Sequence, residues 1–182
     1  MPSARPGYLA GYYYHIYNRG VASAPLFRED ENYVFVLRKV KQYSGELSLA
    51  VIAYCLMPNH YHFLLRQDGE CPAGLLPQRV FNSYTKAYNK RYERSGTLFE
   101  GHYKVIALQE ESHLLHLCRY IHANPVKAGL VADAAEWPYS NYLEWVEQRH
   151  GTLIDRAFVR EHFPIPQRYR EFVMDYLASE DV

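Results

Sequence analysis

Two strand-like runs separated by a proline–asparagine pair constrain the fold of this chain more than any other feature. Residues 47–57, LSLAVIAYCLM, are almost continuously apolar, the pattern of a strand buried on both faces. Pro58-Asn59 stops that run, and residues 60–66, HYHFLLR, resume it. Two strands flanking so tight a connection form a hairpin, and a buried hairpin needs further elements to cover it.

The flanking sequence supplies those elements. Residues 12–17, YYYHIY, are aromatic and β-branched and predict a first strand ending at Asn18-Arg19-Gly20. Tyr33, Val34, Phe35, Leu37, Val40 and Tyr43 then recur with helical spacing, from an N-cap at Asp30 to a break at Ser44-Gly45. A second helix is predicted over about 75–93, with Leu76, Val80, Tyr84 and Tyr88 on one side and Arg79, Lys86, Lys90 and Arg91 on the other. Tyr103–Leu108 gives a fourth strand. A third helix runs from Glu110-Glu111 to about Ala123, where Asn124-Pro125 terminates it, because the residue before a proline resists the α region. The order β-α-β-β-α-β plus a helix defines an α+β fold, the ferredoxin-like split β-α-β, with helices on one face of a four-stranded antiparallel sheet. The expectation is one domain over residues 1–182. Its core spans about 12–127, and a helical tail of about 128–182 packs on it through Phe158, Val159, Phe163, Phe172 and Tyr176.

Composition narrows the class of function. A chain that is 48% hydrophobic can bury a core, which excludes a disordered segment. Cys55, Cys71 and Cys118 show no paired spacing, so they read as reduced cytoplasmic thiols rather than a disulfide framework or a zinc site. No apolar run approaches the roughly 18 residues of a membrane span, and the first residues lack the apolar core of a signal peptide. The expected setting is cytoplasmic, with no membrane partner. Net charge is zero, yet residues 74–127 carry eight Lys/Arg against four Asp/Glu, while residues 128–182 carry five against ten. A basic surface is therefore available in the middle of the chain.

His60 and His62 stand at i and i+2 in a strand, so both imidazoles leave the same face. Such a pair can hold a divalent cation; the same pattern also suits two polar residues on a half-exposed strand. Tyr120 and Asn124 stand at i and i+4 near a helix end, one above the other. A hydroxyl and an amide oxygen there can meet the imidazoles across a helix–sheet contact, and an amide oxygen suits magnesium or manganese more than zinc. A phosphate on that cation beside a phenol permits attack to form a phosphotyrosine. Tyr120 equally suits a core tyrosine hydrogen-bonded through its hydroxyl. His116, one turn before Tyr120, is placed to assist proton transfer, and Trp137 reads as an anchor for the tail. Lys86, Lys90, Arg91, Lys104, Arg119 and Lys127 are candidate contacts for nucleic-acid phosphates, as is Arg19 among the first-strand tyrosines. Tyr12, Tyr14 or Tyr17 can stack on bases if they face outward.

Residues 53–65, AYCLMPNHYHFLL, with residues 119–129, RYIHANPVKAG, resemble the single-tyrosine HUH transposases. They are most similar to the subgroup associated with repetitive extragenic palindromic (REP) elements, and HIYNRG at 15–20, GHYK at 101–104 and WPYS at 137–140 fit that subgroup. The resemblance implies that His60 and His62 are the histidine–hydrophobe–histidine metal pair for Mg2+ or Mn2+, Tyr120 the nucleophile, and Asn124 a further metal ligand or a polar orienter. It implies cleavage and rejoining of single-stranded DNA, at hairpin or palindromic elements, through a 5′-phosphotyrosine and a free 3′-hydroxyl. Two other readings stand beside it: a domesticated hairpin-DNA-binding protein with weak or lost catalysis, and an unrelated metal-dependent phosphoesterase. Monomer and homodimer are both open.

Overall fold

The computed structural model describes residues 7–179. Four strands, β1 (Tyr13–Arg19), β2 (Leu49–Met57), β3 (His60–Gln67) and β4 (Lys104–Leu108), form one antiparallel sheet in the order β2-β3-β1-β4. Helices α1 (Asp30–Glu46) and α2 (Leu75–Arg91) follow β1 and β3 respectively, giving the expected ferredoxin-like order. Helix α3 (Glu111–Lys127) follows β4. The tail contributes α4 (Tyr142–Trp145), α5 (Arg156–His162) and α6 (Pro166–Ser179).

Side-chain alternation splits the interior into two layers. Tyr14 and Ile16 of β1 with Tyr61, Phe63 and Leu65 of β3 meet the inner faces of α1 and α2, including Val36, Val40, Leu76, Val80 and Phe81. The opposite face, with Leu64 of β3 and Ile52, Ala53, Cys55 and Met57 of β2, packs on Leu114, Cys118 and Ile121 of α3 and on Trp145, Phe158, Tyr169 and Val173 of the tail. Helices thus cover both faces, and the tail is part of the second layer.

Two local expectations are corrected. The N-cap of α1 is Glu29 rather than Asp30, because Asn32 reaches back to the Glu29 backbone to close a capping box. Helix α3 does not end at Asn124. Pro125 sits inside it, in the last turn, where the ring forfeits only the bond its own N–H would have made to the Ile121 carbonyl. Leu130 N–H donates to Pro125 O (3.0 Å) and Gly129 N–H to Val126 O (2.9 Å), with Gly129 at φ +67°, so a Schellman cap closes the helix one turn later. That extra turn carries Lys127.

The β2 edge of the sheet is sealed by the tail. Leu56 N–H donates to Tyr139 O (2.9 Å), and Cys55 pairs antiparallel with Ser140. The register of β2 shifts between Val51 and Ala53, which turns Ile52 and Ala53 to the same layer. The carbonyl of Ile52 accepts from Asn141 Nδ2 (2.9 Å) and Trp145 Nε1 (3.1 Å). Asn141 Oδ1 accepts from Tyr54 N–H (2.8 Å) and from His122 Nε2 (2.8 Å), whose Nδ1 meets the Tyr169 hydroxyl at 2.6 Å. Trp137 Nε1 donates to Leu56 O at 3.1 Å, tying the same segment down. Replacing Asn141 by leucine strands the buried Tyr54 and His122 donors at once. Urea unfolding of Asn141→Leu is expected to show a loss of about 3 kcal/mol, from roughly 1–3 kcal/mol per orphaned group.

Candidate active site

The turn between β2 and β3 is held rigidly. Pro58 O accepts from Leu26 N–H (2.7 Å) and Phe27 N–H (3.1 Å), and Asn59 O accepts from Gly20 N–H (2.8 Å). A Cβ on Gly20 would lie 2.1 Å from Ala24 O, so only glycine permits that chain crossing. The anchored turn delivers His60 and His62 to the α3 side of the sheet, the face of Leu64, while Tyr61 and Phe63 point the other way.

Four side chains converge there. The His62 ring meets His60 edge-on at 5.2 Å between centroids and Tyr120 edge-on at 5.6 Å. Asn124 Nδ2 donates to Tyr120 O (2.8 Å), which fixes the amide one turn above Tyr120 and beside His60. His60 Nδ1 lies 2.7 Å from Asn59 Oδ1 and donates to it. A fifth residue joins from β1: His15 Nε2 lies 3.0 Å from His62 Nδ1, with the rings stacked at 5.2 Å. Tyr17 stacks on His15 at 4.8 Å. His15 was visible in the sequence as a strand histidine, but its approach to His62 depends on the register that sets Tyr17 opposite His62.

The imidazoles are held neutral. Burial pulls His62 down to about 3, helped by the neighbouring His15 and His60, and burial alone pulls His15 down to about 4. Burial also lowers His60, opposed by the neighbouring Asn124 side chain. Neutral imidazole is the form that ligates a cation. With Nδ1–H of His60 given to Asn59 and Nδ2 of Asn124 given to Tyr120 O, the polar atoms left are His60 Nε2 and Asn124 Oδ1, both lone-pair donors. Among the described residues no group of three or more His, Cys, Asp or Glu is arranged to hold a metal. Two neutral imidazoles and an amide oxygen, with no thiolate, can serve a divalent cation, the amide supplying the kind of oxygen donor that magnesium and manganese favour.

The candidate DNA contacts divide between the two faces. Lys127 Nζ lies 5.7 Å from the centre of the Tyr120 ring and 3.1 Å from the Tyr176 hydroxyl of α6. Arg119 packs on Phe172 (4.3 Å) and Tyr176 (5.0 Å) and meets His116 Nδ1 at 2.7 Å, so His116 serves Arg119. Lys104 Nζ stands 5.9 Å from the Tyr17 ring. Arg19 is exposed and paired with Glu100. Lys86, Lys90 and Arg91 belong to α2, across the sheet from the histidines, and Arg91 pairs with Glu29 at 2.7 Å. Tyr14 is fully buried, so of the three candidate stacking rings Tyr12 and Tyr17 keep solvent access.

A ferredoxin-like sheet that sets a His-Tyr-His strand against a helix carrying tyrosine and asparagine defines a tyrosine-nucleophile enzyme class, the HUH type. A family profile described as "Transposase IS200 like" matches residues 9–124, well over half of the chain, and the protein belongs to that family. A protein of Haemophilus influenzae, provisionally named a REP-associated tyrosine transposase, is 24% identical over 113 residues, covering 56% of this chain and 64% of that relative's length. The chain therefore spans less than two thirds of the curated relative it matches. The solved structure of a REP-associated tyrosine transposase bound to a REP hairpin shares the fold, with a TM-score of 0.69 at 16% identity over 86% of this chain and 98% of that one.

The lowered imidazoles set the acid response. The unfolded chain takes up protons near the ordinary histidine value of about 6.5, before the folded chain does. Stability conferred by burying His15 and His62 is therefore complete above that value and is lost as pH falls toward 4 and 3, by about 1.4 kcal/mol per unit for each group. In NMR titrations of the metal-free protein both rings are expected to remain neutral at pH 5.

Proposed function

We propose that this protein is a metal-dependent single-stranded DNA endonuclease and strand transferase that cleaves and rejoins hairpin or palindromic elements through Tyr120. The observation that carries the reading is the convergence of Tyr120 on the His60–His62 pair, with Asn124 bonded to the tyrosine backbone and lying beside His60. His60, His62 and Asn124 would hold Mg2+ or Mn2+, which when bound polarises the scissile phosphate. Tyr120 Oη attacks phosphorus, the bond to the 3′ oxygen breaks, and that oxygen leaves as a hydroxyl with the phenol's proton. The 5′-phosphate stays on Tyr120. Attack by a second 3′-hydroxyl reverses the step, so the phosphodiester energy is conserved and no nucleotide cofactor is consumed.

Lys127 and Lys104, on the same side as Tyr120, would take phosphates near the scissile bond, with Arg119 and Arg19 at the margins. Lys86, Lys90 and Arg91 would meet only DNA that reaches the opposite face. No described helix is long and apolar enough to cross a membrane, and Cys55, Cys71 and Cys118 are free, which suits action at DNA in the cytoplasm. We read residues 1–182 as one domain, because α3 and the tail share a single apolar layer.

Labelled single-stranded hairpins incubated with Mg2+ or Mn2+ are expected to give a covalent protein–DNA band that resists denaturation. Tyr120→Phe abolishes that band while hairpin binding stays within a few fold of wild type. His60→Ala slows cleavage on the order of 100-fold or more. Cleavage surviving in Tyr120→Phe would establish a metal-activated water and a phosphoesterase instead. Binding without any metal-dependent adduct, across a broad hairpin panel, would establish a DNA-binding module.

A further inference from the structure

The contact between His15 and His62 is a choice between two proton positions. Both rings are buried, His15 at 7% exposure and His62 at 6%, and their facing nitrogens are 3.0 Å apart. Two neutral imidazoles at that distance share one hydrogen, so one nitrogen donates and the other accepts. If His15 Nε2 owns the hydrogen, neutral His62 carries its own proton on Nε2, and that nitrogen has no lone pair to offer. If His62 Nδ1 owns it, Nε2 of His62 is a bare lone pair on the ring that meets His60 and Tyr120 edge-on.

We propose that His15 is the positioning residue of His62: its Nε2 accepts the Nδ1 proton of His62 and fixes the tautomer whose Nε2 is free to bind a divalent cation. The inference rests on the metal-site reading of the His60–His62 pair and extends it by one residue. The surroundings hold the His15 ring in place. It lies against Tyr17 (4.8 Å, 23° between planes) and beside His62 (5.2 Å, 19°), and its strand is hydrogen-bonded to β3 on one side and β4 on the other. His60 is treated alike by a different partner, since Asn59 Oδ1 accepts its Nδ1 proton. Each histidine of the pair thus has one nitrogen committed to an acceptor and the other left as a ligand, the arrangement that orients metal-binding imidazoles generally. The two acceptors come from separate places, the hairpin turn for His60 and the neighbouring strand for His62.

The test reads the proton directly. Long-range 1H–15N spectra of the metal-free wild-type protein are expected to show His62 protonated at Nδ1; protonation at Nε2 overturns the assignment. Mn2+ titrations followed by electron paramagnetic resonance give an independent measure. His15→Phe keeps a stacking ring but no acceptor and is expected to weaken Mn2+ binding about 10- to 100-fold, whereas His15→Gln, which retains an acceptor, restores most of it. If His15→Phe fails to fold, the wild-type spectrum and the glutamine variant still decide. A series in which His60→Ala loses Mn2+ but His15→Phe keeps it overturns the role of His15 alone. One in which His60→Ala also keeps it overturns the metal reading and this assignment together.

Discussion

The pairing of β1 with β3 at the centre of the sheet is the constraint on which the candidate site depends. Its register places Tyr17 opposite His62 and His15 one diagonal step away, so three near-parallel rings stack on a single face. A slip of one residue would send His15 and Tyr17 into the layer under α1 and α2 and bring Tyr14 and Ile16 to the histidines. Burial resists that slip, because Tyr14, Ile16, Tyr61 and Phe63 are fully or almost fully enclosed on the other side. The apolar packing of one face therefore aligns the polar groups of the other.

The tail takes part in the same arrangement. Phe172 and Tyr176 of α6 receive the cations Arg119 and Lys127, which stand on either side of Tyr120 and Asn124 along α3. Asn141 and Trp145 meet the bulged Ile52 carbonyl, and His122 links that network to α3. The helix that bears Tyr120 is thus gripped by β2 on one side and α6 on the other.

How far the sequence was legible follows from the range of the interactions involved. The hairpin at Pro58-Asn59, the helical spacing of α1 and α2, and the i, i+2 and i, i+4 pairs are local patterns, and they set the sheet order and put His60 with His62 and Tyr120 with Asn124. Helix α3 passes Pro125 because Gly129 and Leu130 cap it a turn later, a cooperative ending that a rule about single residues misses. His15 against His62 required strand register, and the seal of β2 by Tyr139–Asn141 required contacts more than 80 residues apart, such as Trp137 with Leu56. The basic face of α2 was legible as a face, but its separation from the histidines follows only from which side of the sheet α2 covers.

The sealed margin of β2 also restricts how two copies of this chain can associate. A sheet grows from one molecule into the next only through an edge whose backbone groups are unclaimed. With Ser140 occupying the β2 side, β4 is the remaining edge among the described residues. It is five residues long, so two copies brought together there would form few bonds. Among the described residues, assembly by a continuous intermolecular sheet is therefore disfavoured at both margins.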